Sequence, residues 1–212
     1  MEKAPTGSVS IHRCMEEHTL VYGGMSTRTG KRLLTRWDWT AAALDALAEH
    51  GVAGVAVDRL ARTLGVTRGS FYWHFRDRRE LIDAALQQWE QEHTTDLLPE
   101  VKAIQDPVAR LRYVFRGVYE RPVERIELAL ASAADDPLVS TAVARVTRMR
   151  LDFLRRIFTD LGLSDEEASD RAWLAYALYT GHHLLARNDE IRTDQPAQLD
   201  RILDLLTSPA AA

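Results

Sequence analysis

From Thr35 onward, apolar residues return at the spacing of a helix face: Trp39, Ala43, Ala46 and Leu47, then Leu60, Ala61 and Leu64, then Val108, Leu111, Phe115 and Val118. The pattern continues through Ala142, Val146, Met149, Phe153 and Ile157, and again through Leu199, Ile202, Leu203 and Leu206. Alternating β-branched runs bounded by turn residues are missing, while alanine, leucine and charged residues dominate, so an all-α chain is predicted. Breaks fall at Gly51, Gly65, Arg76-Asp77, Pro99 to Pro107, Pro122, Asp136-Pro137, Gly162 to Ser164 and Asn188 to Pro196. They imply about nine helices with short connections. One segment departs from amphipathicity: Ala172 to Ala186, "AWLAYALYTGHHLLA", is apolar nearly all the way round and must be covered on more than one side.

The first helices carry readable punctuation. Thr35 can cap helix one, with Asp38 answering from its third position, and Gly51 stops it. A short second helix ends where Gly65 can adopt the left-handed conformation, and Thr67 can cap the third. In that third helix Phe71 and Phe75, four apart, point inward and force Arg68, Tyr72 and Trp73 to the opposite side. Two short helices joined by a glycine turn, the second displaying basic and aromatic groups, predict a helix-turn-helix with a reading helix for a major groove. The formal net charge of the chain is -4, so its basic character is local. Arg59, Arg62, Arg68, Arg76, Arg78 and Arg79 cluster with only Asp77 as an acid among them. A second group, Arg28, Lys31, Arg32 and Arg36, precedes helix one and suits an arm along the phosphate backbone or minor groove.

The stretch "RLARTLGVTRGSFYWHFRDRRELIDAAL" resembles the DNA-binding domain of the TetR family of bacterial transcriptional regulators, in motif order and spacing, from about Thr35 to Leu86. The resemblance implies that Tyr72 and His74 donate to phosphates and that Arg78 holds another with help from the helix dipole. It implies that Arg68, Gly69, Ser70 and Trp73 face base edges, Arg68 gripping a guanine and Trp73 packing on a thymine methyl. Where the family often has hydroxyl residues entering helix two, this chain has Ala56 and Val57 followed by Asp58, which removes a capping and phosphate-contact option. Asp58 is left to serve the helix dipole.

A single reading helix touches too few base pairs for genomic specificity, so a dimer on two half-sites is expected. The resemblance implies a homodimer through the last two helices, about Asp165 to Arg187 and Gln195 to Thr207, which suits the all-round apolar segment. It also implies an unidentified small-molecule effector, for which Trp89, Phe115, Tyr119, Met149, Phe153, Trp173, Tyr176, Tyr179 and His182 offer an apolar lining with a few polar handles. The expected organisation is a flexible leader over 1–24, a helix-turn-helix domain over 25–82 and an effector-binding and dimerisation domain over 83–212. The expected function is a ligand-responsive regulator, a repressor released from a palindromic double-stranded DNA operator. The alternative is an effector-independent protein that bends or coats DNA.

The remaining chemistry narrows the field. Cys14 is the lone cysteine, no apolar run is long enough for a bilayer and the leader has no secretory apolar core, which together predict a reduced, cytoplasmic protein with no membrane partner. Met25 opens a stretch that reads as a more natural start than Met1. Adjacent His182 and His183 point about 100° apart on a helix, so with Asp189 and Glu190 they make no designed metal site. No phosphate-binding loop, nucleotide fingerprint or nucleophile elbow occurs, so neither a cofactor nor catalysis is expected.

Overall fold

Thr35 opens the first helix, α1 (Arg36–Gly54), with a complete capping box: its side chain accepts from the Asp38 N–H, and the Asp38 carboxylate accepts from the Thr35 N–H at 2.7 Å. The computed structural model describes residues 34–120, 125–133, 135–185 and 195–208, the side chains of 118–120 and 195–197 excepted. After α1 come α2 (Val57–Thr63), α3 (Arg68–Phe71) and α4 (Arg78–His93), a 3-10 turn (Thr95–Leu97), then α5 (Leu98–Ala103) and α6 (Pro107–Glu120). The chain continues through α7 (Arg125–Ser132), α8 (Pro137–Asp160), α9 (Asp165–Leu185) and α10 (Gln195–Thr207), with no strand among the described residues. The all-α expectation holds, and the stretch read as a break at Pro99 to Pro107 holds the short α5. The leader with Cys14, the arm residues Arg28, Lys31 and Arg32, the break at Pro122, and Asp189 and Glu190 lie outside the described residues. None of the described helices is long and apolar enough to cross a membrane.

Two apolar cores organise these helices. The first gathers Trp39, Ala43 and Leu47 of α1, Leu60 and Ala61 of α2, Phe71 and Phe75, and Leu81, Ile82, Ala85, Leu86 and Trp89 of α4. It runs on into Leu130 of α7 and Val139, Ala142 and Val146 of α8, so it crosses the expected domain boundary near residue 82. The second joins Leu111 and Phe115 of α6, Leu154, Ile157 and Phe158 of α8, Ala168, Ala172 and Ala175 of α9, and Leu199, Ile202, Leu203 and Leu206 of α10. Helix α8 serves both, because its 24 residues extend about 36 Å at the helical rise.

Arg150 sits on α8 between its contributions to the two cores, and each of its five N–H groups has a partner. Nε donates to Thr94 Oγ1 at 3.0 Å, and the terminal nitrogens donate to both Glu127 oxygens, the His93 carbonyl and the Tyr179 hydroxyl. Trp89 Nε1 adds a further bond to Glu127 at 3.2 Å. The end of α4, α7, α8 and α9 are thereby fastened at one largely buried point. Burial by itself would raise the Glu127 carboxyl, but the charge and hydrogen bonds of Arg150, with His93 and Trp89, outweigh it and hold the carboxyl below its ordinary value of 4.5.

Breaking this pair from one side leaves a buried charge unmatched. Arg150→Met is therefore expected to cost about 3–5 kcal/mol in urea unfolding, and adding Glu127→Met should recover part of that loss. Because the Glu127 carboxyl is depressed on folding, its contribution is complete above pH 4.5 and is lost as the pH falls further, through its folded value. Unfolding curves of Glu127→Gln should lack that part of the acid slope.

Candidate nucleic-acid interface

The turn that sets the interface is closed by backbone geometry. Gly65 takes φ 68°, its N–H donates to the Arg62 carbonyl at 3.1 Å, and the Val66 N–H reaches back to Ala61 at 2.9 Å. This pair of bonds ends α2 in a Schellman motif, for which a side chain at Gly65 would be strained. Thr67 occupies the N-cap of α3 in extended backbone, without a side-chain capping bond. The α-helix is then a single turn, and tighter i→i+3 bonds such as Trp73 to Ser70 and His74 to Phe71 carry the chain onward, so the reading helix is shorter than the sequence predicts.

Orientation follows from packing. Phe71 stacks on Phe75 at 5.6 Å and meets the edge of Trp39 at 5.4 Å, with all three rings buried. The opposite side is left to solvent: Tyr72 is 54 % and Trp73 87 % exposed. Exposure on this scale is unusual for tryptophan. Arg59, Arg62, Arg68, Gly69, Arg76, Arg78 and Arg79 are exposed, with Ser70 and His74 half-buried. A Cβ built on Gly69 would meet only Thr67 Oγ1, at 3.7 Å, so this position leaves room for close approach.

The arginines divide by what holds them. Arg68 donates to the Tyr72 hydroxyl at 3.2 Å and lies 3.6 Å from Asp58, and the two contacts, Tyr72 first, raise its already high pKa. Arg78, which the resemblance assigns to a phosphate, instead turns its guanidinium onto backbone: Nε donates to the Val55 carbonyl at 2.6 Å and a terminal nitrogen to that of Val52. It pins α4 to the end of α1, where helix-terminal carbonyls lack intrahelical partners. Arg36 departs from its expected place in an arm in the same way. It donates to the His74 carbonyl at 2.6 Å and to Glu80, and lies 4.2 Å over the Phe75 ring. Glu80, which sequence reasoning passed over, accepts from the Arg76 N–H and Nε as well, and these bonds, those of Arg76 first, hold its carboxyl below the usual range.

The expected effector lining is divided between the two cores. Phe115 lies in the second core, with Phe153 and Tyr176 packed against it, while Trp89 belongs to the first. Tyr176 stacks on Tyr179 at 5.6 Å and shares a hydrogen bond with Thr147 at 3.0 Å. Met149 is half-buried, and so is His182, whose pKa burial and then the charge of His183 both push down. The side chain of Tyr119 lies outside the described residues. Trp173 corrects the expectation: it is 63 % exposed, because Ala172 and Ala175 turn the other face of α9 to the core. Missing from the sequence reading are Arg150, Glu127 and Thr94, since no local pattern announces a pair 23 residues apart. A groove of about 640 Å³ lies between α1 and α7, lined by Glu49, His50, Arg125 and Leu128 among others, and none of the expected lining residues borders it. The described residues contain no cluster of three histidine, cysteine or acidic side chains fit for a metal.

The family described as "Bacterial regulatory proteins, tetR family" matches residues 40–85, which contain α2, α3 and the start of α4. The tetracycline repressor protein class A from transposon 1721 of Escherichia coli is 45 % identical over 58 residues, 27 % of each chain. The HTH-type transcriptional regulator CymR of Pseudomonas putida is 29 % identical over 159 residues, 71 % of this chain and 78 % of that one. Among solved structures, E. coli NemR in its reduced form superposes with a TM-score of 0.67 at 16 % identity, covering 81 % of this chain and 94 % of that one, a likeness of fold. The sequence match to the tetracycline repressor thus spans about a quarter of its length. Residues 40–85 of this chain thus match the tetR family of bacterial regulatory proteins.

Proposed function

We propose that this chain is a dimeric transcriptional regulator, a repressor that leaves a palindromic operator when a small molecule binds its C-terminal half. The observation that carries the reading is the outward face of α3 and its following turn, where Tyr72 and Trp73 stand exposed beside Arg68, with Phe71 and Phe75 buried beneath. Arg68, Gly69, Ser70 and Trp73 would read base edges, while Tyr72, His74 and Arg79 would take phosphates, which fix register without reading sequence. With its guanidinium occupied by carbonyls, Arg78 would contribute through the positive end of α4. Residues 25–82 would form the reading head and 83–212 the effector-binding and dimerisation part.

A second copy of the chain is the natural cover for α9. Its small alanines face inward, and the large apolar side chains Trp173, Leu174, Leu178, Leu184 and Leu185 are exposed, with Leu205 of α10 75 % exposed. A monomer seldom leaves such a patch in water. The effector would lie among Phe115, Met149, Phe153, Tyr176, Tyr179 and His182, within reach of the Arg150 cluster. Through Arg150 a change there can reach His93 and Thr94 at the end of α4, and α4 carries it to the head. The same coupling free energy requires that operator DNA weaken effector binding by the factor through which effector weakens operator binding.

Selection from a random duplex library tests the reading. Wild type should recover an inverted repeat whose half-site centres lie about 34–36 Å apart or a multiple of that, and recovery of no sequence would refute it. Trp173→Glu combined with Leu178→Glu should sediment as a monomer and hold the repeat at least about a hundredfold more weakly, since one head supplies only part of the contact free energy.

A further inference from the structure

Asp58 stands where the resemblance leads one to expect something else, and the structure gives its carboxylate a specific neighbour. It lies in the first turn of α2, whose N-cap, Ala56, supplies no side-chain bond. The Asp58 backbone carbonyl accepts from Arg62 Nε at 3.2 Å, while its carboxylate Oδ1 lies 3.6 Å from Arg68 Nε, across the turn on α3. Arg68 also donates from Nη2 to the Tyr72 hydroxyl at 3.2 Å. Nε thus faces Asp58 at ion-pair distance and one Nη2 hydrogen is bonded, while Nη1 makes no hydrogen bond among the described residues.

Resting on the regulator reading above, we propose that Asp58 is a positioning residue for sequence readout: it holds Arg68 by Nε so that the terminal nitrogens meet a guanine edge end-on. Both side chains are more than half exposed, so the pair adds little to folding. At a DNA surface the same pair acts differently. Arg68 on a long flexible stem would otherwise settle on any phosphate, an interaction without sequence information. A carboxylate beside it opposes phosphate approach and leaves the bidentate guanine contact, which requires a fixed fork, as the favourable use of that charge. Asp58 therefore lowers binding to arbitrary DNA and raises discrimination at one base pair of each half-site.

The test uses the full-length protein, the selected site, the same site with the Arg68-dependent guanine replaced, and a scrambled duplex. That guanine is identified as the position whose preference Arg68→Ala abolishes. Asp58→Asn should bind the scrambled duplex about three- to tenfold more tightly and lose about tenfold in discrimination at the guanine. In an Arg68→Ala background, Asp58→Asn should no longer tighten binding to the scrambled duplex, whereas a general charge effect would tighten it there as well. Asp58→Ser, which restores a hydroxyl near the start of α2, serves as the second variant if Asp58→Asn lowers the melting temperature. Equal tightening on all three duplexes, or the same tightening on the scrambled duplex with Arg68 absent, overturns the proposal while leaving the regulator reading intact. A wild type that selects no site removes both.

Discussion

Burial of Phe71 and Phe75 against Trp39 is the constraint on which the helix-turn-helix depends. Two rings four residues apart can enter one core only if the chain between them turns its other side outward, and Tyr72 and Trp73 have no alternative orientation. The hydrophobic effect thus aims the polar and aromatic face, although it contributes nothing to what that face recognises. The same core reaches Leu81, Ile82 and Leu86 of α4, so the head and the helix leaving it are set by one packed unit. Arg78 and Arg36 reinforce it with bonds to Val52, Val55, His74 and Glu80, where arginine serves as a brace.

A second constraint links that unit to the rest of the chain. Helix α8 contributes Val139, Ala142 and Val146 to the first core and Leu154, Ile157 and Phe158 to the second. Between them the guanidinium of Arg150 binds the end of α4, α7 and α9 together through Thr94, His93, Glu127 and Tyr179. A fully satisfied, largely buried ion pair of this kind adds less to net stability than its contacts suggest, but it permits only one arrangement of the helices that meet there. Helix α4 is long enough to carry a displacement at that point to the N-terminus it shares with the reading head. An effector that altered the Tyr179 side of the cluster would have a mechanical route to the interface.

Local features of this structure were legible in the chain itself. The Thr35 and Asp38 capping box, the left-handed Gly65 and the inward pair of phenylalanines each depend on residues within four positions, so spacing alone reveals them. Tertiary partners were not. Arg78 looks like a phosphate ligand in sequence because nothing nearby shows that Val55, 23 residues earlier, presents a carbonyl to it. Glu80, Glu127 and Arg150 are not marked out by the sequence for the same reason, since their partners lie far along the chain or across the fold. Trp173 was misplaced because an all-apolar segment has no polar side to indicate which face turns inward. Alanines there line the core and the tryptophan points away from it.

The most direct measurement of whether the face built on Phe71 and Phe75 reads DNA is fluorescence anisotropy across a salt series, on duplex from the upstream region of the protein's own coding sequence and on a scrambled control. Wild type should prefer its own DNA, with log affinity falling linearly against log salt. Tyr72→Ala should weaken both duplexes alike, and Arg68→Ala should mainly erode the preference. Equal binding of both duplexes, differing in neither variant, would contradict the account.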